Sequence, residues 1–369
     1  MNDLLISPDV NASAASTASA ASIPSASAAP VAAVPTATPK KSKKKPQPFI
    51  IFIDIMCILS SLVFIAWFFC GQDIRDYYAG LSYAPSPEMA STIEKINLTW
   101  RGNLVMQAVQ PTFADADSFN AKCLDGSEEG NVTTLGCFLP DDDRIYIYDV
   151  HSDELEGIKE SVLAHELMHA IYNRLNGFEQ SDLNTELDNY YQAHQADFGD
   201  YMSSYSEDQY YTELHSLIGQ RVHYQDLSEP LQQHYASYFV NQDAIAGFYD
   251  QYHGTIDDLT AQIEAGKTET DKLYAELDAK RTQFREELEQ YNADVEYHNE
   301  QVERGYYNET RYQSLKKREA QLDSDLTALN QLIDTYNAKA QAYNELLEHQ
   351  QQLYGRMDSR VEIQAEEPE

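Results

Sequence analysis

Apolar residues are spaced along this chain in four ways, and each predicts a different kind of element. Residues 49–70 form an almost unbroken apolar run, with Asp54 as its one charge. About 20 such residues reach across a bilayer core, so 48–70 is expected to be a transmembrane helix. Residues 144–150 (R-I-Y-I-Y-D-V) alternate with period two, as a half-buried strand does. Residues 103–109, bounded by Gly102 and Pro111, are read as a second strand, and 88–96 as a short helix. Between Leu155 and Ile171 the period becomes helical: Leu155, Ile158, Val162, Ala170 and Ile171 recur on one side, and Leu163 and Leu167 widen it. Ser152 and Asp153 are N-cap candidates there, Glu154 and Glu156 suit the positive end, and Asn176-Gly177 is expected to stop the helix. More helices are expected over 181–203, after the capping-box pattern Ser206-Glu207-Asp208-Gln209, and around 230–240 and 243–252.

The fourth spacing is heptad-like. One arm carries Ile256, Leu259, Ile263, Leu273, Leu277, Phe284, Leu288, Tyr291, Val295 and Val302. The other carries Leu315, Leu322, Leu326, Leu329, Ile333, Tyr336, Ala340, Tyr343, Leu347 and Tyr354. With Gly305 as the reversal, 254–356 is expected to be an antiparallel coiled-coil hairpin, its arms on the order of 70 Å long. The domain order is then a disordered Ala/Ser/Pro-rich tail (1–47), the transmembrane helix (48–70), a linker (71–87), a globular domain (88–253), the hairpin (254–356) and an acidic tail (357–369). The expected fold class is α+β, a small sheet with helices between a transmembrane helix and a coiled coil.

Charge sharpens this picture. Lys40, Lys41, Lys43, Lys44 and Lys45 precede the apolar run, which by the positive-inside rule predicts a single-pass membrane protein, N-terminus cytoplasmic and body extracytoplasmic. A net charge of −34 argues against a nucleic-acid partner. Of four cysteines, Cys123 and Cys137 lie in the globular part, fourteen positions apart. If that part is exported they are expected to form a disulfide.

The chemistry is concentrated at His165-Glu166-Leu167-Met168-His169, an H-E-x-x-H pattern. Residues i and i+4 share one face of a helix, so two imidazoles can aim at one metal ion. Glu166 is then placed to act as general base on metal-activated water. Catalytic zinc sites use three protein ligands, and the downstream candidates are His194, Glu213, His215, His223 and His234. Glu213 is preferred: it sits one helix further on, and a carboxylate among Leu214, Leu217 and Ile218 calls for a cation. Tyr210, Tyr211, His215 and His223 are candidate transition-state donors.

Over roughly residues 98–222 the chain resembles the zincin metallopeptidases of the gluzincin type, in which H-E-x-x-H is completed by a Glu on a later helix. The resemblance implies Zn2+ as cofactor, His165, His169 and Glu213 as ligands, Glu166 as base, and a small mixed sheet ahead of the metal helix. The chain lacks the N-E-x-x-x-E motif of thermolysin-like enzymes, the H-x-x-G-x-x-H extension and the Met-turn. The function it implies is a membrane-anchored peptidase acting on peptide or protein substrates. The strand before the metal helix is a candidate edge for pairing with an extended substrate. The alternative is a non-catalytic envelope scaffold or adhesion protein whose coiled coil binds a protein partner and whose metal is structural.

Overall fold

A computed structural model of the protein describes residues 48–124, 134–198, 202 and 205–360. The expected N-terminal tail and residues 361–369 of the acidic tail lie outside the described residues. The chain divides into two units, Met1–Ser61 and Leu62–Glu369.

The first element, α1 (Pro48–Gly80), carries the apolar run. In the first unit its side chains Phe52, Ile53, Ile55, Met56, Ile58 and Leu59 are exposed, and the hydroxyls of Ser60 and Ser61 donate to the Cys57 carbonyl. Among the described residues, no helix is long and apolar enough to cross a membrane. The expected transmembrane helix is therefore not supported, nor is the single-pass placement with an extracytoplasmic body. Within its apolar stretch α1 carries one charge, Asp54, and two serines, Ser60 and Ser61. Beyond residue 70 it continues without a break into Gln72, Asp73, Arg75 and Asp76, where a linker was expected. In the second unit Asp76 is buried and pairs with Arg174 Nε at 2.9 Å.

Helix α2 (Pro87–Ile96) starts at Ser86, whose hydroxyl accepts the Met89 N–H. Helix α3 (Trp100–Val109) starts at Thr99, whose hydroxyl accepts the Gly102 N–H. This corrects the strand expected over 103–109. Leu104, Val105, Met106, Ala108 and Val109 are buried, while half-buried Asn103 and exposed Gln107 lie four apart on one helix face. Because the even positions are also all apolar, the run satisfies both periods. Gly102 lets α3 lie against the chain at Tyr238: a Cβ there would stand 2.2 Å from the Tyr238 carbonyl oxygen.

Three strands form one sheet in the order β1-β3-β2: β1 (Thr112–Ala114), β2 (Gly136–Leu139) and β3 (Arg144–Tyr148). Strand β1 runs parallel to β3 and β2 antiparallel to it, with Cys137 opposite Tyr146. Between β1 and β2 lies α4 (Ala116–Cys123), and the Cys123–Cys137 disulfide ties it to β2 with a Cα–Cα distance of 5.8 Å. Closing a loop of this length stabilises by about 3 kcal/mol on the chain-entropy estimate. Cys137→Ser is therefore expected to lower Tm by roughly 5–10 °C in calorimetry, and reductant to do the same to the native chain. An unchanged midpoint would mean that other contacts hold α4 and β2 together.

After a 3₁₀ turn at Asp153–Leu155 comes α5 (Ile158–Arg174). It begins at Gly157 (φ 93°), later than Ser152 had suggested, because Gly157 packs against the Phe248 carbonyl and a Cβ there would approach it to 2.7 Å. Asn176 does not stop α5. It caps the next helix, α6 (Gly177–Ala193), in a capping box with Glu179. Then follow α7 (Gln195–Phe198), α8 (Glu207–Arg221) and α9 (Glu229–Ala236).

Helix α10 (Gln242–Glu303) runs straight through the expected boundary at 253/254, and α11 (Glu309–Met357) returns after a turn at Gly305 (φ 86°). The arms pair antiparallel: Asp294 with Arg318, Tyr274 with Tyr336, and Glu269 with Lys339 at 3.1 Å. The end of α11 comes back to the segment before α5, where His349 meets Glu154 at 2.6 Å. One core runs through α2, α3, β3, α5, α8 and α9, centred on Met106, Ile147, Leu163, Leu167, Leu217 and Leu231.

Candidate metal centre

The site forms where α5 and α8 cross antiparallel. Gln220 donates to the Ser161 hydroxyl at 3.0 Å near the start of α5, and Thr212 Oγ1 lies 2.9 Å from His169 Nδ1 further along. Gly219 makes the close approach possible, since a Cβ there would lie 2.1 Å from Met168 Sδ. The helices thus lie closely enough for Glu213 to reach both imidazoles of α5. His165 Nε2 and His169 Nε2 are 3.1 Å apart, and Glu213 oxygens lie 3.7 and 3.4 Å from them. One donor atom from each residue lies within 4.8 Å of the other two, and no other such group of three His, Cys, Asp or Glu occurs among the described residues.

This donor set fits zinc. Three ligands at about 2.0–2.1 Å in tetrahedral directions stand about 3.3 Å apart, close to the spacings found. The imidazoles are in the form a metal needs: burial and the neighbouring His169 hold His165 well below its usual pKa, and burial brings His169 down to about 4. Glu213 is pushed up to about 7 by burial, against the pull of the Tyr205 hydroxyl and Arg221. Its Oε2 is buried without a hydrogen-bond partner. Two neutral imidazoles and a desolvated carboxylate facing one point make a cavity for a cation. Thr212 Oγ1 meets His169 Nδ1 and orients that ring from behind, whereas His165 Nδ1 is buried without a hydrogen-bond partner.

Glu166 is 6% exposed and stands beside the three donors. Burial, then the charge of Glu213, pushes its carboxyl up to about 8, while the Phe138 backbone N–H donates to it. A cleft of about 720 Å³ opens over these groups, walled by β2, α5, α8, Tyr205 and Tyr252. The edge strand along it is not the one expected from the sequence. Among the described strands β3 is central and paired on both sides, whereas β2 is an edge strand. Tyr148 N–H donates to the Leu135 carbonyl, so the odd-numbered positions face β3 and the backbone of Gly136 and Phe138 faces the cleft.

The other candidates lie elsewhere. His215 is fully buried, its Nε2 2.9 Å from His234 Nε2, and burial holds both well below the usual pKa, His234 at about 4. His223 sits between Asp243 and Asp250, at 3.3 and 2.9 Å. His194 stacks on Tyr190. Tyr211 donates to Asp188 at 2.8 Å, and Tyr210 packs on Tyr191. Sequence reasoning missed β2, Tyr205, Gln220 and Arg221. Only Gln220 left a signal, being seven residues from Glu213 and so on the same helix face.

No protein-family model matches the chain, and neither a curated protein nor a solved structure is significantly similar to it.

Proposed function

We propose that this chain is a zinc-dependent peptidase, with His165, His169 and Glu213 holding the metal and Glu166 as general base. The observation that supports this reading is the convergence of three metal-ligating side chains and a buried carboxylate on the floor of a cleft lined by an edge strand. Zinc, when bound, polarises a carbonyl and lowers the pKa of water to about 7. Glu166 takes a proton from the attacking water and hands it to the departing amine. Strand β2 holds the peptide extended by backbone pairing at Gly136 and at the Phe138 carbonyl, and the side chains from α8 close the cleft opposite.

A scaffold reading draws on the hairpin turn, where Tyr306 and Tyr307 are 71% and 59% exposed. It predicts metal without turnover. Zinc content and cleavage of a mixed peptide library, measured on the full chain before and after chelation, separate the two. One zinc per chain, with cleavage lost on chelation and restored by zinc, is expected. Zinc without cleavage favours the scaffold; no zinc overturns both.

A further inference from the structure

The two ends of the cleft differ in charge. We propose that Arg221 receives a substrate carboxylate on the carboxyl-terminal side of the scissile bond, an inference that rests on the peptidase reading. The chain carries −34, yet among the described residues lining the cleft Arg221 is the single Lys or Arg. It lies eight residues beyond Glu213 on α8, about 12 Å along the axis. Helical side chains lean towards the N-terminus, which here is the direction of Glu213, and Arg221 lines the cleft. Its charge is felt at both His165 and Glu213. The group stacks over the Tyr249 ring at 4.9 Å.

Chain direction decides which end of a substrate it meets. Strand β2 runs with α5: Gly136 lies against Val162 and Glu166, the Phe138 N–H reaches Glu166, and beyond the strand Asp143 pairs with Arg174. Helix α8 runs the other way, with Gln220 at Ser161 and Thr212 at His169. Arg221 therefore stands at the Gly136 end. A peptide paired antiparallel to β2 runs from the Pro140 end towards Gly136, so its carboxyl-terminal residues arrive at Arg221. The parallel direction would bring an ammonium group there, against like charge. A guanidinium suits a carboxylate, which it binds through two parallel N–H bonds. That carboxylate is the C-terminus of a short peptide or an Asp or Glu side chain beyond the scissile bond.

The test uses the zinc-loaded full chain and three peptides of one sequence: free C-terminus, C-terminal amide, and amide with one Glu on the carboxyl-terminal side. The native chain is expected to favour a carboxylate-bearing peptide over the plain amide by about 10–100-fold in kcat/KM, mainly through KM, the value of one charge-assisted hydrogen bond. Preference for the free C-terminus alone assigns the α-carboxylate; preference for the Glu peptide assigns the side chain. Arg221→Gln should flatten the preference, and Arg221→Lys should restore part of it. Fluorescence anisotropy of the same peptides on Glu166→Gln, with and without Arg221→Gln, reads the preference independently of turnover. Equal use and binding of all three by the native chain, or a preference that survives Arg221→Gln, overturns the assignment. Cleavage of none, with carboxylate-selective binding retained, removes the peptidase reading and leaves Arg221 as the anion site.

Discussion

Glu166→Gln is expected to keep one zinc per chain while losing library cleavage by at least about 10²–10⁴-fold, the usual worth of a general base. Glutamine preserves the shape of a side chain packed within 2.8 Å of where a Gly136 Cβ would stand. It also keeps an oxygen that can accept the Phe138 N–H. What it removes is the capacity to take a proton. Glu166 is not among the three converging donors, so metal content should be unchanged. Mass spectrometry of the library and metal analysis on the same preparation check this. A variant that cleaves as fast as the native chain would dismiss Glu166 as base.

Zinc is expected to raise Tm by clearly more at pH 8 than at pH 6.5. In the metal-free chain Glu166 and Glu213 have folded pKa values of about 8 and about 7, above their ordinary carboxylate values. A raised folded pKa gives stability that is complete below the unfolded value and disappears as pH climbs through the folded one. The buried histidines act oppositely: with folded values lowered, His169 and His234 to about 4, their contribution is complete above about 6.5 and is lost only as pH falls. Above pH 6.5 the two carboxylates are therefore still changing, as is His223, which Asp250 and Asp243 hold above its usual value. His223 does not belong to the converging donors and so affects both zinc states alike. The metal-free chain should lose about 1.4 kcal/mol per pH unit per carboxylate, about 2–3 kcal/mol between pH 6.5 and 8, or several degrees in Tm. A bound cation favours both charged carboxylates and cancels the loss. Melting curves with and without zinc at the two pH values decide it; parallel pH dependence would mean that the cation does not meet these carboxylates.

Much of the fold was legible along the chain because its signals are local. Spacing of four puts His165 and His169 on one helix face whatever surrounds it. The heptads and Gly305 encode a hairpin whose arms contact each other in simple register. Ser206 marks the start of α8, although its hydroxyl meets the Gln209 side chain, not a backbone N–H. Two cysteines in the globular part left one pairing to make. Misreadings arose where local signals are ambiguous. The run 103–109 is apolar in both periods, Asn176 can end one helix or begin the next, and a long apolar stretch does not announce that its helix will continue through Asp73 and Asp76.

By itself, then, the sequence determined the helix α5 that carries the two imidazoles and Glu166, the helix that carries Glu213, and the long hairpin. These depend on contacts a few residues apart, which periodicity records. Only the tertiary structure decided that Glu213, and not His194, His215, His223 or His234, reaches the two imidazoles, because this depends on the closeness of two helices at Gly219. It likewise decided that β2 lines the cleft and that Arg221 stands at its Gly136 end. Those facts rest on strand order and on the relative direction of elements far apart in the chain, and no local pattern of apolar and polar residues records either.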